Sequence, residues 1–208
     1  MRLILIRHGE TLWNQQRRVQ GGGSNTELSE NGRLQAEKLG EALKSVRIDA
    51  IYSSPLKRAL DTAQVIASHH GLPVQVEPDL REIEVGELEG LSLAELSTSF
   101  GQFLLQWREG KGQEKLPGGE SVAELAERVW HSIQRIKEKH DNGTVAIVSH
   151  FFCIVVAICK ALNWPLTTLE RIRVQTGSIS IVDLDDKQPR LVLLSDTCHL
   201  ETPPSSTR

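Results

Sequence analysis

Short runs of consecutive apolar residues alternate along the chain with longer segments in which apolar residues recur every three or four positions. Buried strands of a parallel sheet show the first pattern, and helices with one buried face show the second. The short runs predict strands over residues 3–6, 50–53, 74–76, 144–149, 172–174, 178–184 and 190–194. The periodic segments predict helices from Ser29 to about Val46, from Ser54 to His70, from Ser121 to about Lys139 and over 154–162.

Residues that favour helix ends support these boundaries. Ser54 followed by Pro55 combines an N-cap side chain with a proline at the first helical position, and Gly71 stops the same helix. Two pairs have the spacing of a capping box, which satisfies free backbone N–H groups at a helix start: Ser92 with Glu95 and Ser121 with Glu124. The apolar face of the first helix is predicted to consist of Leu34, Leu39 and Leu43.

Strands interleaved with helices predict an α/β layered domain with a mostly parallel central sheet. A chain of 208 residues suits one such domain, which we place over residues 1–200. The segment near 91–117 is predicted to form a lid, 15–27 a loop and 185–189 a hairpin turn. The tail over 201–208, rich in Pro, Ser and Thr, is predicted to be disordered.

Composition narrows the functional classes. Hydrophobic residues make up 39% and charged residues 25% of the chain, as in ordinary folded proteins. The formal net charge of −3 gives no indication of a nucleic-acid partner or an anionic membrane surface, and no apolar stretch is long enough to span a membrane. Three cysteines without metal-ligand spacing, and no signal-peptide pattern, predict a protein of the reducing cytoplasm that holds no metal.

Charged and titratable side chains follow the predicted strands at their carboxyl ends, where open α/β sheets bind their ligands. Arg7 and His8 follow the first strand, and His150 follows the buried run 144–149. Arg58 stands in the first turn of the second predicted helix. Guanidinium groups bind phosphate oxygens through paired donors, and a neutral imidazole can act as a nucleophile. The sequence therefore predicts a site for a tetrahedral phosphoryl group, with His8 attacking the phosphorus.

A phosphohistidine formed on His8 would release an alkoxide, which needs a proton from an acid on the opposite side of the phosphorus. The acidic segment 81–90 offers four carboxyl groups for this role: Glu82, Glu84, Glu87 and Glu89. Spacing alone does not select one of them, although the apolar neighbours of Glu82 would draw it inward. The substrate phosphate would then raise the pKa of that carboxyl and favour its protonated form.

The same residues stand in a set of longer motifs that spans almost the whole chain. The motifs are Leu5-Ile6-Arg7-His8-Gly9-Glu10-Thr11 with Trp13-Asn14, Arg18-Val19-Gln20-Gly21, Leu28-Ser29-Glu30-Asn31-Gly32, Tyr52-Ser53-Ser54-Pro55-Leu56-Lys57-Arg58-Ala59, Leu80-Arg81-Glu82, Gly118-Gly119-Glu120-Ser121 and Val148-Ser149-His150. Together they strongly resemble the histidine phosphatase superfamily, in its phosphoglycerate-mutase-like branch.

The resemblance implies a three-layer α/β/α sandwich that needs no metal or other cofactor. It implies that His8 is the phosphorylated nucleophile and that Glu82 is the proton donor. The implied phosphate pocket consists of Arg7, Arg58 and His150. Residues expected on the substrate side are Asn14, Gln20, Gly21, Phe151 and His199.

Departures from the family pattern bear on the substrate. Many members have a small residue after the second histidine, where this chain has two phenylalanines, so the pocket wall is expected to be bulkier and more apolar. The segment 195–200 resembles the part that closes the pocket in several bacterial members, including phosphoserine phosphatases, but Val85 stands where those have a histidine. The segment 173–177 is similar to α-ribazole phosphatases.

The expected function is hydrolysis of a small phosphomonoester, with phosphoserine, α-ribazole phosphate, phosphoglycerates and sugar phosphates left open as substrates. The alternatives are phosphoryl transfer of the phosphoglycerate mutase type and a phospho-ligand binding module without catalysis. The short segment 91–117 favours the phosphatase, since the mutases carry longer insertions. The partner is expected to be a small phosphorylated metabolite rather than nucleic acid or a membrane, and apolar faces on edge strands or helices leave a homodimer open.

Overall fold

Six strands form one sheet at the centre of the molecule. They are β1 (Arg2–Arg7), β2 (Ala50–Ser53), β3 (Val74–Val76), β4 (Thr144–Ser149), β5 (Ile179–Asp183) and β6 (Arg190–Asp196). The computed structural model describes residues 1–109, 114–185 and 188–201, excluding the side chains of 100 and 102–108. Within these ranges the strands lie side by side in the order β3–β2–β4–β1–β5–β6.

The strand pairing brings the two candidate histidines to the same edge of the sheet. β1 pairs in parallel with β4, β4 with β2, and β2 with β3, while β5 and β6 add antiparallel strands on the other side of β1. The mostly parallel sheet predicted from the sequence is therefore confirmed. Because the register aligns Arg7 with Ser149, the next residues, His8 and His150, leave the sheet side by side.

Helices cover both faces of the sheet. They are α1 (Leu12–Gln15), α2 (Glu30–Leu43), α3 (Lys57–His70), α4 (Leu93–Glu109), α5 (Val122–Lys139) and α6 (Phe151–Ala161). Along β1, Leu3 and Leu5 belong to an apolar cluster with α5 and α6, whereas Ile4 and Ile6 belong to a second cluster with α2 and α3. The expected three-layer α/β/α sandwich is therefore confirmed. Among the described residues, none of the helices is long and apolar enough to cross a lipid bilayer.

The turn after β1 contacts the start of α2 backbone to backbone, an approach that requires glycine. An added Cβ at Gly9 would lie 2.3 Å from the carbonyl oxygen of Gly32, and one at Gly32 would lie 1.9 Å from that of Glu10. Ser29 caps α2 by accepting a hydrogen bond from the Gly32 N–H at 3.0 Å. The segment that carries His8 is thereby held against a capped helix.

The predicted N-cap at Ser54 is wrong. α3 begins at Lys57, and its N-cap residue, Leu56, makes no side-chain hydrogen bond to the helix. Ser54 is instead fully buried, and its hydroxyl lies 2.7 Å from Nε2 of His150, a residue 96 positions away in the chain. The hydroxyl also accepts a hydrogen bond from the Leu56 N–H at 3.3 Å. The hydroxyl of Ser54, which the local sequence predicted to cap α3, is therefore hydrogen-bonded with His150 instead.

Other boundaries differ in detail. Both predicted capping boxes are present, but residues 172–174 form no strand and lie outside the sheet. Leu34 is 52% exposed, and the larger apolar side chains on the buried face of α2 are Leu39 and Leu43. The predicted disordered tail, beyond Glu201, and the centre of the predicted hairpin turn, 186–187, lie outside the described residues.

Candidate active site

A cavity of about 280 Å³ opens where β1 and β4 end. Its walls are formed by Arg7, His8, Asn14, Arg18, Val19, Gln20, Glu82, Val85, Phe151 and Phe152. Most of the residues predicted for the site are in this set. Arg58 and His150 are fully buried, and the His150 ring lies 5.1 Å from the His8 ring, centroid to centroid.

The backbone determines which nitrogen of His8 is free to react. Nδ1 lies 2.7 Å from the carbonyl oxygen of Gly9, which can only accept a hydrogen bond, so Nδ1 carries the hydrogen and Nε2 the lone pair. Burial holds the pKa of His8 well below its usual value, and the charges of Arg58 and Arg7 lower it further. The imidazole is therefore neutral near pH 7, with Nε2 available as a nucleophile.

Two arginines, the partly buried Arg7 and the fully buried Arg58, are held by backbone carbonyls. Nη1 of Arg7 donates to the carbonyl of Val174 at 2.6 Å. The terminal nitrogens of Arg58 donate to the carbonyls of Ser24 at 2.9 Å and Gly21 at 3.0 Å. Burial lowers the pKa of both side chains, that of Arg58 to about 10, so both keep their charge at neutral pH. Two fixed cations therefore lie close to the histidines.

Three buried nitrogens of this group have no hydrogen-bond partner among the described residues: Nε of Arg7, Nε of Arg58 and Nδ1 of His150. A donor left unpaired in a protein interior costs about 1–3 kcal/mol. Nε2 of His150 is hydrogen-bonded with the Ser54 hydroxyl, and burial and the charge of Arg58 hold the pKa of His150 well below its usual value. The unpaired Nε–H donors of the two arginine cations are suited to the oxygens of a phosphoryl group.

Glu82 is the glutamate of the acidic segment that lines the cavity with His8. It is 4% exposed, and its oxygens accept hydrogen bonds from the N–H groups of Ile83 at 2.9 Å and Phe152 at 3.2 Å. Burial raises the pKa of Glu82, although these two bonds and the arginine charges favour the ionised form. A carboxyl with a raised pKa keeps its proton to higher pH, as a donor to a leaving group requires.

The amides of Asn14 and Gln20 are both oriented by Thr11. Oδ1 of Asn14 accepts a hydrogen bond from the Thr11 N–H at 3.0 Å, and Oε1 of Gln20 accepts one from the Thr11 hydroxyl at 3.0 Å. Nε2 of Gln20 donates to the hydroxyl of Thr26. Both side chains line the cavity in fixed orientations, and their contact with substrate stays a prediction.

The structure does not place Gly21 and His199 among the lining residues. The carbonyl of Gly21 accepts a hydrogen bond from Arg58 and so builds the loop around that guanidinium. Nε2 of His199 is hydrogen-bonded with the carbonyl of Gly177 at 3.0 Å, and the Gly177 N–H donates to the carbonyl of His8 at 3.0 Å. Gly21 therefore supports the site by holding Arg58, and His199 supports it through Gly177, which contacts His8.

The family model of the histidine phosphatase superfamily (branch 1) matches residues 3–197 of the chain. The chain belongs to this superfamily. The match includes every residue predicted for the site except His199. The motifs that suggested the resemblance thus lie within a match that spans the sheet and both helix layers of this histidine phosphatase.

Relatives of this histidine phosphatase carry the names of several activities. Phosphoserine phosphatase 1 of Hydrogenobacter thermophilus is 33% identical over 200 residues, 96% of this chain and 94% of the relative. A protein of Erwinia tasmaniensis named "Probable phosphoglycerate mutase GpmB" is 34% identical over 183 residues, 88% of this chain and 85% of the relative. The solved structure of mycobacterial glucosyl-3-phosphoglycerate phosphatase with VO3 matches with a TM-score of 0.87 and 30% identity, covering 94% of this chain and 99% of that one. The family and its phosphatases identify the chain as a phosphoric monoester hydrolase.

Three of the lining residues were not predicted as site residues: Arg18, Val19 and Val85. Position in a motif was the available signal for two of them, because Arg18 and Val19 directly precede Gln20. Phe152 lies in the wall, as expected for the two phenylalanines after His150. The exposed Arg18 is held at the rim of the phosphatase cavity by a hydrogen bond from Nη1 to the carbonyl of Gly90 at 2.7 Å. Val19 and Val85 add to the apolar wall.

Proposed function

We propose that this histidine phosphatase hydrolyses a small phosphomonoester in two steps, through a phosphohistidine on His8. One observation carries the proposal: a single cavity is lined by Arg7, His8 and Glu82, and His150 lies buried beside His8 with ring centroids 5.1 Å apart. Arg58, also fully buried, lies close enough for its charge to lower the pKa of His8, and buried nitrogens of Arg7, Arg58 and His150 have no partner among the described residues. A nucleophile, an acid and an anion pocket are the three groups that such a reaction needs.

In the first step, Nε2 of His8 attacks the phosphorus and the bond to the ester oxygen breaks. Glu82 gives its proton to the departing oxygen, so that an alcohol leaves instead of an alkoxide. The hydrogen bond from Nδ1 to the carbonyl of Gly9 stabilises the ring as it becomes phosphorylated. The groups proposed to hold the three remaining phosphoryl oxygens are Arg7, Arg58 and His150.

In the second step, a water molecule attacks the phosphorus from the side that the alcohol has left. The Glu82 carboxylate takes a proton from this water, the N–P bond breaks, and its electron pair returns to Nε2 of His8. Inorganic phosphate then leaves and the starting enzyme is restored. Because arginine cations balance the phosphate charge, we propose that neither a metal nor another cofactor takes part.

The proposed substrate is a small phosphorylated metabolite whose leaving group has an apolar part. The cavity is about 280 Å³, and its apolar walls are formed by Val19, Val85, Phe151 and Phe152. The two phenylalanine rings pack edge to face, with centroids 5.1 Å apart. The Phe151 ring also lies 5.6 Å from Cζ of Arg7, so the apolar wall begins directly beside the proposed phosphate pocket.

We further propose a single domain over 1–200 in which the segment 91–117, with α4, acts as a lid over the cavity. We place the protein in the cytoplasm, where the free thiols of its three cysteines would stay reduced. A homodimer, and the expectation of neither a nucleic-acid nor a membrane partner, stay predictions.

Phosphate release from phosphoserine, phosphoglycerates, α-ribazole phosphate and sugar phosphates tests the proposed function. We expect inorganic phosphate and the free alcohol in equal amounts from at least one of these esters. A mutase is the second candidate because of the relative named for that activity, and it would interconvert phosphoglycerates without releasing phosphate. Binding of an ester with neither phosphate release nor interconversion of phosphoglycerates would contradict both enzymatic proposals and favour a binding module without catalysis.

The pH dependence of kcat/KM for an alkyl phosphate is expected to be bell-shaped. His8 must be neutral to attack, and since its pKa lies well below 6.5, activity persists where an ordinary imidazole is protonated. Glu82 must be protonated, and because its pKa is raised above 4.5, activity falls as the pH rises through that higher value. Initial rates from about pH 4 to pH 9 measure both limbs. An acid limb at or above pH 6.5 would contradict the assignment of His8.

A further inference from the structure

Arg128 on α5 binds the backbone of the segment that carries Glu82. Its Nη1 donates to the carbonyls of Asp79 at 2.7 Å and Arg81 at 2.8 Å, and its Nη2 donates to the carbonyl of Glu82 itself at 3.1 Å. One guanidinium therefore satisfies three carbonyls within four consecutive positions. A lysine, with a single nitrogen, cannot reproduce this forked arrangement.

Glu120 holds Arg128 in place and binds the far end of the same segment. Its carboxylate accepts hydrogen bonds from Nε of Arg128 at 3.1 Å and from Nη2 of the same side chain. It also accepts one from the Glu84 N–H at 3.0 Å, and the Glu120 N–H donates to the Glu84 carbonyl at 2.8 Å. The ion pair is largely buried, with side-chain exposures of 23% and 15%. Both flanks of Glu82 are thus attached to one ion pair.

The segment depends on these contacts because it has no regular structure of its own. Residues 82–85 are neither helix nor strand, so a sheet or helix ladder does not hold their backbone. The Glu82 carboxyl nevertheless reaches the N–H of Phe152 on α6 at 3.2 Å and stays 4% exposed. The backbone position that allows this reach is the one that Arg128 binds.

We propose that Arg128, held by Glu120, is a positioning residue that keeps the Glu82 carboxyl directed at the leaving-group oxygen. The inference rests on the proposed function, in which Glu82 is the proton donor. It follows that loss of Arg128 should matter for esters whose leaving group needs a proton and should matter little for esters whose leaving group does not.

The test compares Arg128→Met and Arg128→Lys with the matched control Arg135→Met, using an alkyl phosphate and p-nitrophenyl phosphate. Arg135 lies on the same helix and contacts the same segment, but through the carboxylates of Glu77 at 3.1 Å and Asp79 at 2.8 Å. We expect Arg128→Met to lower kcat for the alkyl ester by about 10- to 100-fold and for the aryl ester by less than about threefold. Arg128→Lys should lie between it and wild type, and the control should match wild type.

A second arm asks whether Arg128 acts through Glu82. In a Glu82→Gln background, adding Arg128→Met should leave the alkyl-ester rate unchanged, whereas an independent effect would lower it again. Equal losses on the two esters in the single variant, or additive losses in the double variant, would overturn the inference. If Arg128→Met does not fold, Arg128→Lys decides by the same comparison of esters. A wild type that releases phosphate neither from these two esters nor from any of the metabolites tested above would instead refute the proposed function.

Discussion

Replacement of His8 by alanine is expected to lower kcat for every phosphomonoester by about 10⁴-fold or more, because it removes the atom proposed to form the covalent intermediate. The protein should still fold, since the His8 ring is hydrogen-bonded to the carbonyl of the adjacent residue, Gly9, and borders an open cavity. Steady-state phosphate release measures the loss, and thermal unfolding confirms that the variant is folded.

The matched control is His131→Ala, which removes an exposed histidine on α5 and should leave the rate unchanged. Trapping adds a direct measurement of the intermediate. Wild-type enzyme quenched in base during turnover should contain one extra phosphoryl group on the peptide with His8, because phosphohistidine survives in base. The His8→Ala variant should contain none. Phosphate release within tenfold of wild type from His8→Ala would rule out the proposed nucleophile.

Replacement of Glu82 by glutamine is expected to lower kcat for an alkyl phosphate by about 10²- to 10⁴-fold, because the amide keeps the size of the side chain but has no proton to give. The loss for p-nitrophenyl phosphate should be much smaller, since p-nitrophenolate is stable without a proton. The comparison of the two esters, made on the same preparation, separates proton donation from a general loss of the site.

Glu84→Gln is the control within the same segment. Its carboxylate is paired with Arg81 at 2.8 Å and is 40% exposed, so the change removes a surface ion pair worth at most about 1 kcal/mol. We expect less than about a twofold change in rate for either ester. If Glu82→Gln lowered both esters equally, or if Glu84→Gln produced the larger leaving-group effect, the acid would have been assigned to the wrong residue.

Strands that are covered on both faces are predictable from sequence because every position needs an apolar partner. The apolar runs within β1 and β4 therefore identified central strands. His8 and His150, the residues that directly follow these two strands, lie side by side at the carboxyl ends of the sheet. Nothing in the spacing of single residues showed that β1 and β4 are neighbours. That proximity came with the family resemblance and the fold.

Local sequence patterns gave wrong predictions at groups that form hydrogen bonds with residues distant in the chain. Serine is a residue type that favours the N-cap position, but the hydroxyl of Ser54 is hydrogen-bonded with a buried histidine 96 positions away instead of capping the helix. Residues 172–174 have the apolar side chains typical of a strand. The carbonyl of Val174 nevertheless accepts a hydrogen bond from the guanidinium of Arg7 and not from a neighbouring strand. In both places the sequence pattern is compatible with two partners, and tertiary contacts select one.

The proposed acid, Glu82, and its proposed positioning residue, Arg128, were predictable to different degrees. Four glutamates in one segment were equivalent by spacing, and burial against the N–H of Phe152 distinguishes Glu82. Arg128 had no signal as a functional residue, because an arginine on the polar side of an amphipathic helix is usually solvated. Its three carbonyl partners lie on irregular backbone, whose path depends on the finished fold.

The hydrogen bond from Arg7 to Val174 joins residues 167 positions apart, and this has a consequence during protein synthesis. The ribosome makes Arg7 and His8, the proposed nucleophile, long before it makes β4, His150 and Val174. A chain that stops before β4 therefore carries His8 without the buried partners of the proposed site. On the proposed mechanism, such a chain would hydrolyse no phosphate ester.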